Sequence, residues 1–318
     1  MKVAITGANG FLGTHLVNKC LSSGFQVIAL VRKGANCSSL PIDNPQLSTF
    51  YINYSKNLTS QLEELRIDTG FIQYVIHNAG LTVSLDKNEY FQINTFLTEK
   101  VLSSIKESKI LSDEGKFIYI SSYAAHGPSG IGEPVSYYGE SKKEAEKLVL
   151  KSDIPHLIFR PTAIYGGGDY AFLPLFKAAK RGLYPITSSK QKMSMIHGAD
   201  LAAMVIEEMP AKTGVIFAND GHTYLHQDFI EILEGIFERK IFKVPVPAFL
   251  SKISLGLSDL WHSLIKKRPG LTLEKFKEIS QDWDLHERAL LHSNIKARYS
   301  LKEGFADAYQ FYKSKRLL

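Results

Sequence analysis

The chain opens Met1-Lys-Val-Ala-Ile-Thr-Gly-Ala-Asn-Gly-Phe-Leu-Gly13, and this stretch decides the fold. Residues 2–6 form a short apolar run typical of a buried strand, and glycines follow at positions 7, 10 and 13. In residues 11–23, apolar side chains recur at helical spacing. A glycine turn between strand and helix lets backbone N–H groups approach a pyrophosphate at the positive end of the helix. The stretch therefore predicts a dinucleotide-binding unit; the alternative is that the glycines only permit tight packing.

Apolar runs like the first one recur along the first half of the chain, with helical patterns between them. They cover residues 2–6, 26–31, 48–53, 74–77, 116–120 and 156–160. Strands that alternate with helices predict a parallel sheet with helices on both faces. The 318 residues suffice for one large domain or two small ones, and 44% hydrophobic residues suffice for a folded core.

Tyr138 and Lys142 lie four residues apart in Ser136-Tyr-Tyr-Gly-Glu-Ser-Lys-Lys-Glu144. In a helix this spacing puts both side chains on one face, about 5–6 Å apart at Cβ. Because an ammonium group beside a phenol favours the phenolate, we expect the pKa of Tyr138 to fall below its usual value of about 10. The pair therefore predicts a general acid and base that works near neutral pH.

Together these motifs resemble the extended short-chain dehydrogenase/reductase superfamily, which includes the NAD-dependent epimerases and dehydratases. The resemblance runs over nearly the whole chain. It rests on the phosphate loop at 6–13, the end of a fourth strand at 75–80, a fifth strand ending in a serine at 117–122, two later signatures at 160–166 and 196–202, and a closing helix at 300–312.

The resemblance implies an α/β fold: a Rossmann doubly wound parallel sheet with a smaller, partly helical C-terminal substrate domain. We expect residues 1–165 and 193–218 to form the NADP-binding domain. Residues 166–192 and 219–318 would then form the substrate-binding domain.

The resemblance also assigns catalytic roles. Tyr138 is expected to exchange a proton with the substrate oxygen, and Lys142 to hold the phenolate and the nicotinamide ribose. Ser122, preferred over Ser121 by the family pattern, would hydrogen-bond the substrate oxygen as charge develops on it. Asn94 would support Lys142 through a water molecule. Each of these residues has an alternative role as a cap or a packing residue, but their joint order and spacing favour the catalytic interpretation.

A nicotinamide dinucleotide is the implied cofactor, and NADP is favoured over NAD. NAD-binding relatives have a carboxylate at the end of the second strand that binds the ribose. This chain has Val31 there, followed by Arg32, whose guanidinium suits a 2′-phosphate. Asn53 stands where many relatives have an aspartate that contacts adenine. The expected cofactor-binding residues are Gly7, Asn9, Gly10, Phe11, Leu12, Gly13, Arg32, Asn53, Asn78, Ala79, Tyr138, Lys142 and Pro161.

Within the superfamily, the pattern favours an oxidoreductase that interconverts a largely apolar ketone and a secondary alcohol. Ser122 is followed by Tyr123 and two alanines, without the acidic pair of the dehydratases. Nucleotide-sugar epimerases have an asparagine at the position of Ala163 and an arginine in the stretch that reads Lys192-Met-Ser-Met195 here. Members similar to dihydroflavonol reductase and 3β-hydroxysteroid dehydrogenase fit better. A nucleotide-sugar epimerase is the second hypothesis, and a cofactor-sensing binding protein without turnover is the third.

Composition excludes little but sets further expectations. The net charge of +6 and pI of about 9.0 come from scattered basic residues, so no nucleic-acid partner is expected. His222 and His226 have metal-ligand spacing but lack the glutamate and third ligand of a zinc hydrolase, so no metal is expected. Two cysteines are too few for a disulfide framework. With a strand predicted from residue 2 and no 18-residue apolar stretch, we expect no signal peptide, no membrane span and a cytoplasmic location.

Two further expectations concern helices. Residues 247–267 have an apolar helical face that includes Phe249, Leu250, Ile253, Leu257, Leu260, Trp261 and Leu264. Packing in the core of the substrate domain is preferred over a lipid-facing surface. His126, four residues after Ser122, is a weak candidate for the substrate site. By resemblance, a homodimer is expected through the helices at 94–107 and 138–150.

Overall fold

The structure, a computed structural model, describes residues 1–129, 131–186, 188, 190–265, 271–285 and 295–318. The strands are β1 (Lys2–Thr6), β2 (Gln26–Arg32), β3 (Leu47–Ile52), β4 (Ile72–His77), β5 (Leu111–Ile120), β6 (His156–Pro161), β7 (Ala163–Tyr165), β8 (Leu183–Ile186), β9 (Lys192–His197), β10 (Gly214–Ala218), β11 (Thr223–Leu225) and β12 (Phe242–Pro245). The helices are α1 (Phe11–Ser22), α2 (Leu58–Thr69), α3 (Lys87–Tyr90), α4 (Leu97–Ser108), α5 (Tyr137–Lys151), α6 (Leu173–Lys180), α7 (Gly198–Glu208), α8 (His226–Phe237), α9 (Ala248–Leu264), α10 (Leu273–Ile279) and α11 (Leu301–Ser314). A π-helical segment, Phe91–Phe96, joins α3 to α4.

Seven parallel strands form the central sheet, in the order β10-β6-β5-β4-β1-β2-β3. The chain runs outward from β1 in one direction and then from β4 in the other, which confirms the predicted Rossmann topology. In the register, Thr6 at the end of β1 lies beside His77 of β4 and Leu30 of β2. The carboxyl ends of these strands therefore meet at one edge, where ligands bind in such sheets.

The two faces of the sheet follow from the two-residue period of its strands. Val3 and Ile5 of β1 belong to the core on the face covered by α1 and α7. Ala4, between them, belongs to the opposite core, which includes side chains of α2, α4 and α5. Because both faces are buried, the inner strands β1, β2 and β4 consist mainly of apolar residues, as is usual for parallel sheets.

A third core lies outside the central sheet and is largely aromatic. Its helices are α6, α8 and α11, and its largest buried side chains are Phe176, Phe229, Phe305 and Tyr312. Two small sheets, β11-β9-β7 and β12-β8, accompany it. The division at 1–165/193–218 and 166–192/219–318 stays a prediction.

Helix α9 corrects one expectation. Its apolar side chains do not pack in a core: Phe249, Ile253, Leu257, Leu260 and Trp261 are all exposed. The helix attaches through its opposite side, where Asp259 accepts a hydrogen bond from the Leu273 backbone N–H at 2.8 Å. The side chains of Leu250 and Leu264, and all of Lys266 and Lys267, lie outside the described residues. In the part of the chain that is described, no helix combines the length and apolarity needed to cross a bilayer.

Candidate active site

The glycine turn after β1 forms a cradle that no larger residue would fit. Gly7 has a φ of +64°, and a Cβ there would lie 3.0 Å from Ala79 backbone atoms. A Cβ on Gly13 would overlap the Gly7 carbonyl oxygen. Helix α1 begins after Gly10 without a side-chain cap, so its first N–H groups are available to an anion. The turn therefore fits the pyrophosphate of a dinucleotide.

A hydrogen-bond network joins this turn to the end of β4. The Thr6 hydroxyl accepts from the backbone N–H groups of Asn78 and Ala79, both at 3.1 Å. The Asn78 side chain donates to the Gly7 carbonyl at 3.2 Å. Two residues predicted to bind cofactor thus lie against the phosphate loop.

His77, inside the sheet, is hydrogen-bonded to the same network. Its ring lies between the hydroxyls of Thr6 at 2.8 Å and Thr98 at 3.1 Å. Burial, reinforced by the Lys142 ammonium, lowers the pKa of His77 to about 3. His77 is therefore a neutral packing residue.

The other predicted residues of the loop have different environments. Asn9 donates to the Asn36 carbonyl at 3.1 Å, on the loop after β2. Phe11 is half-buried, whereas Leu12 is buried in the core. Because of that burial, only the backbone of Leu12 is available to a ligand. Pro161 is buried at the end of β6.

Arg32 and Asn53 lie at the ends of neighbouring strands. Arg32 is exposed at the end of β2, and its guanidinium pairs with no carboxylate among the described residues. Val31 before it is buried in the core. Asn53 follows β3, and its side chain accepts from the Ser55 backbone N–H at 3.0 Å. Arg32 is thus free to meet a ligand, whereas the Asn53 oxygen is used in its own turn.

Helix α5 carries the tyrosine and lysine on one side, as predicted. It begins at a cap in which the Ser136 hydroxyl accepts from the Gly139 backbone N–H at 3.1 Å. Lys142, only 4% exposed, donates to the Ile120 carbonyl at 2.7 Å, and its Nζ lies 4.4 Å from the Tyr119 ring centroid. Burial lowers the pKa of Lys142 to about 7, although the Glu146 carboxylate acts in the opposite direction.

The two candidate serines have separate roles in the structure. Ser121 is buried and its hydroxyl donates to Glu146, which also pairs with Arg160. Ser122 is half-buried; it caps the short turn after β5 by accepting from the Ala124 N–H at 3.1 Å. Its hydroxyl also acts on the Tyr138 phenol, whose pKa it lowers. This effect favours Ser122 as the partner of Tyr138, and the capping role exists beside it.

Asn94 is buried in the π-helical segment and holds two loops together. Its side chain accepts from the Leu81 N–H at 2.8 Å and donates to the Leu81 carbonyl and the Ser141 hydroxyl, both at 2.9 Å. A Cβ on Gly80 would lie 3.2 Å from the Asn94 oxygen and 3.9 Å from the Lys142 nitrogen. Asn94 and Lys142 therefore flank the same backbone, and the expected link through water stays a prediction.

The pKa of Tyr138 departs from expectation. Burial raises it, and the Glu278 carboxylate and the Tyr90 phenol add to that rise, whereas the Ser122 hydroxyl opposes it. The prediction of a pKa below the usual value is wrong for this structure, because burial prevails over the neighbouring ammonium.

Helix α10 supplies charged residues to the site that the sequence analysis missed. The Lys275 ammonium lies 5.2 Å from the centroid of the Tyr138 ring and pairs with Glu278. Glu278 also accepts from the Ser136 hydroxyl at 3.0 Å, and Glu274 from the Tyr137 N–H at 2.7 Å. Glutamates four residues apart are common on surface helices, so the spacing gave no signal that they meet α5.

The two histidines with metal-ligand spacing have different environments. His226 is buried between Tyr184 at 3.0 Å and Gln191 at 3.2 Å, while His222 is exposed. No cluster of metal-ligating side chains occurs among the residues that the structure describes. His126 is exposed, with its ring centroid 5.9 Å from that of Tyr123.

Comparison with known proteins identifies the family. The model of the NAD dependent epimerase/dehydratase family matches residues 3–214. The chain therefore belongs to that family. It is an enzyme of the NAD(P)-dependent oxidoreductase and epimerase superfamily, and its cofactor is a nicotinamide dinucleotide.

Individual relatives include both reductases and epimerases. The chain is 28% identical to a ceramide reductase of Caulobacter vibrioides, over 98% of this chain and 94% of that protein. It is 26% identical to a UDP-glucose 4-epimerase of Vibrio cholerae, over 81% and 83% of the two chains. Among solved structures, the UDP-glucuronic acid 4-epimerase of Bacillus cereus in complex with NAD has a similar fold. The TM-score is 0.74, with 22% identity and 99% of each chain covered.

The buried ammonium leads to a direct prediction about titration. In protein labelled with carbon-13 at lysine Cε, one resonance should titrate with a midpoint near 7, whereas ordinary lysines titrate near about 10.4. NMR from pH 5 to 10 measures this. The resonance should vanish in Lys142→Met and persist in Lys116→Met, which removes another lysine whose pKa burial lowers. A signal near 7 that survives Lys142→Met would contradict the assignment.

Proposed function

We propose that the protein is an NADP-dependent oxidoreductase that interconverts a largely apolar ketone and a secondary alcohol. The dinucleotide, when bound, supplies or accepts the hydride. Tyr138 donates a proton to the substrate oxygen in reduction and removes it in oxidation. Ser122, whose hydroxyl acts on the pKa of the phenol, would hydrogen-bond the same oxygen.

Lys142 and Asn94 position this pair. The Lys142 ammonium reaches the end of β5 through the Ile120 carbonyl, immediately before the two serines. It would hold the nicotinamide ribose and stabilise negative charge on Tyr138. Asn94 fixes the loop after β4 through Leu81 and the helix through Ser141. These contacts support a role for the four residues in a proton relay beside the bound cofactor.

The proposed substrate class rests on one observation, the ion pair between Lys192 and Asp284. By resemblance, nucleotide-sugar epimerases have a diphosphate-clamping arginine in the stretch that reads Lys192-Met-Ser-Met195 here. The Lys192 ammonium lies 3.4 Å from the Asp284 carboxylate, and the Lys192 backbone N–H donates to Asp282 at 2.9 Å. A diphosphate at this place would meet two carboxylates instead of a free cation.

Aromatic surface beside Ser122 supports an apolar substrate. Tyr123, the next residue, has its ring centroid 5.7 Å from Phe217 and 5.8 Å from Trp283. Tyr123 is buried, whereas Phe217 and Trp283 are half-buried, and apolar side chains contribute about 25 cal/mol per Å² of apolar area that a substrate buries. The ceramide reductase of Caulobacter, similar over nearly its whole length, adds support for reduction of a lipid-like carbonyl.

A nucleotide-sugar epimerase is the second candidate, favoured by the similarity to the Vibrio cholerae epimerase. Epimerisation would use the same Tyr138 and Lys142 but would regenerate the cofactor in each cycle. Net cofactor consumption therefore separates the two functions.

NADP is proposed over NAD because of the charges at the end of β2. Arg32 and Lys33 are exposed there, next to the buried Val31, and neither residue 31 nor 32 offers a carboxylate to a ribose. A guanidinium can bind a 2′-phosphate with two hydrogen bonds. Solved relatives bind NAD, so this specificity is a property proposed for this chain.

Replacing Arg32 tests the cofactor directly. Arg32→Gln should weaken NADPH binding about ten- to a hundredfold, because a charge-assisted contact is lost, and should leave NADH binding nearly unchanged. Fluorescence titration with both cofactors measures the change. Arg181→Gln, at an exposed arginine after α6, is the control for loss of positive charge. If Arg32→Gln weakened the binding of NADPH and NADH equally, Arg32 would be a surface residue that does not bind the 2′-phosphate.

Turnover should depend on Tyr138 and on apolar ketones. A panel of aromatic, steroid-like and long-chain ketones, with UDP- and GDP-sugars as competitors, is assayed separately for NADPH oxidation and sugar isomerisation. Tyr138→Phe should reduce ketone turnover by at least about a hundredfold while cofactor binding persists, since only the proton donor is removed. Tyr137→Phe, on the adjacent residue, is the matched control. Isomerisation of a nucleotide sugar with no ketone reduced would favour the epimerase.

A homodimer and a cytoplasmic location are proposed as well. The helices expected to pair expose Phe96, directly before α4, and Leu150 of α5, which supports an interface there. Light scattering at micromolar concentration tests the dimer, and a monomer would count against it.

A further inference from the structure

Helix α9 presents an apolar face to the surface, which we call the α9 face. Phe249 is 63% exposed, Leu257 65% and Trp261 62%. Ile253 and Leu260, at matching helical spacings, are exposed too, as is Ile265 directly after the helix. Five large apolar side chains on one face of one helix, with a sixth at its end, exceed the scattered apolar residues of ordinary surfaces and indicate an interaction surface.

The side of α9 opposite this face holds it to the protein. Asp259 accepts from the Leu273 backbone N–H at 2.8 Å, at the start of α10. In the described part of the chain, α10 is the main element in contact with α9. The carboxylate therefore points away from the α9 face, and the apolar side chains need not change position to meet a partner.

Across α9 and the residues on both sides of it, basic residues outnumber acidic ones. Lys252 is exposed on the helix, and Lys243 is exposed on the strand before it. Asp259 is the single acidic residue between Lys243 and Arg268 in the sequence. The sequence continues after Ile265 as Lys266-Lys267-Arg268, which lie outside the described residues but add three positive charges. An apolar face with cationic flanks is typical of helices that lie in the interface of an anionic membrane.

We propose that the α9 face docks on the surface of a lipid bilayer that contains anionic lipids. The helix would lie parallel to the membrane, with the apolar side chains at the acyl boundary and the lysines at the headgroups. A second copy of the chain fits less well, because two-fold pairing of α9 would bring the same cationic flanks together. The polar, attached side of the helix suits a helix lying on the bilayer.

Docking would bring the active site close to lipid. Helix α10, which holds α9, also carries Lys275 over the Tyr138 ring and Glu278 against Ser136. A single helix thus separates the lipid-facing surface from the proton donor. The docking surface stands independently of the proposed reaction, since it rests on exposure and charge alone.

The two tryptophans provide the experiment. Trp261 is on the α9 face, whereas Trp283 is half-buried and donates to the Glu278 carbonyl at 2.7 Å. In a Trp283→Phe background, Trp261 alone reports its environment. Vesicles of phosphatidylcholine with about a third phosphatidylglycerol should shift its emission to the blue and carry the protein upward in flotation; pure phosphatidylcholine or high salt should weaken both effects.

Matched variants separate apolar docking from simple charge attraction. Leu257→Glu should lower the affinity for anionic vesicles, measured by flotation, at least about tenfold, because an exposed leucine that would enter the lipid is replaced by a carboxylate. Ser263→Glu makes the same change of charge at an exposed position outside the α9 face and should lower that affinity only about twofold. Circular dichroism should show both variants folded.

Three results would overturn the proposal. One is the absence of both flotation and a spectral shift with anionic vesicles. Another is equal weakening by the two variants, which would mean charge attraction alone. The third is a dimer that Leu257→Glu dissociates without any vesicle binding, which would identify a second copy as the occupant. None of these readouts uses turnover, so failure of the proposed reaction would not affect them.

Discussion

The site depends on the burial of one positive charge, the ammonium of Lys142. Burying an unpaired ammonium is costly, and a lysine responds by giving up its proton more readily. The Ile120 carbonyl at 2.7 Å and the Tyr119 ring at 4.4 Å offset part of that cost. With a pKa lowered to about 7, the group is balanced between its charged and neutral forms, and negative charge brought close to it would favour the charged form.

Three strand ends meet around this ammonium and the glycine turn. The carbonyl comes from the end of β5, and the Gly80 backbone follows β4. Thr6, at the end of β1, ties that loop to the glycine turn. A parallel sheet aligns its carboxyl ends along one edge, so the anion cradle and the ammonium are brought together by topology alone. Helix α5 then needs only its four-residue spacing to place Tyr138 beside them.

Local patterns in the sequence predicted these parts well. The glycine spacing, the strand–helix alternation and the Tyr138/Lys142 pair each depend on nearby residues, and the structure has the Rossmann fold that they imply. Strand β5 begins at Leu111 instead of 116, because polar and acidic residues open it and obscure its start. The expectations that failed concern the surroundings of individual side chains and helices. The pKa of Tyr138 rises through burial, and burial is contributed by elements distant in sequence.

Helices α9 and α10 also show that local patterns do not predict the surroundings of a helix. Helix α10 reaches α5 from more than a hundred residues away, and no spacing within it identifies that contact. Helix α9 has the apolar periodicity of a core helix, but periodicity identifies a face without specifying what covers it. The structure leaves that face open, and its cationic flanks then become informative.

The central claim is net hydride transfer to a carbonyl at this site, and isotope transfer tests it most directly. NADPH deuterated at C4 of the nicotinamide, in each stereoisomer, is incubated with the protein and a long-chain ketone, and the alcohol is analysed by mass spectrometry. We expect that one stereoisomer delivers deuterium to the carbinol carbon, with one NADP formed per alcohol. Deuterium retained on the cofactor while a nucleotide sugar is inverted would contradict it.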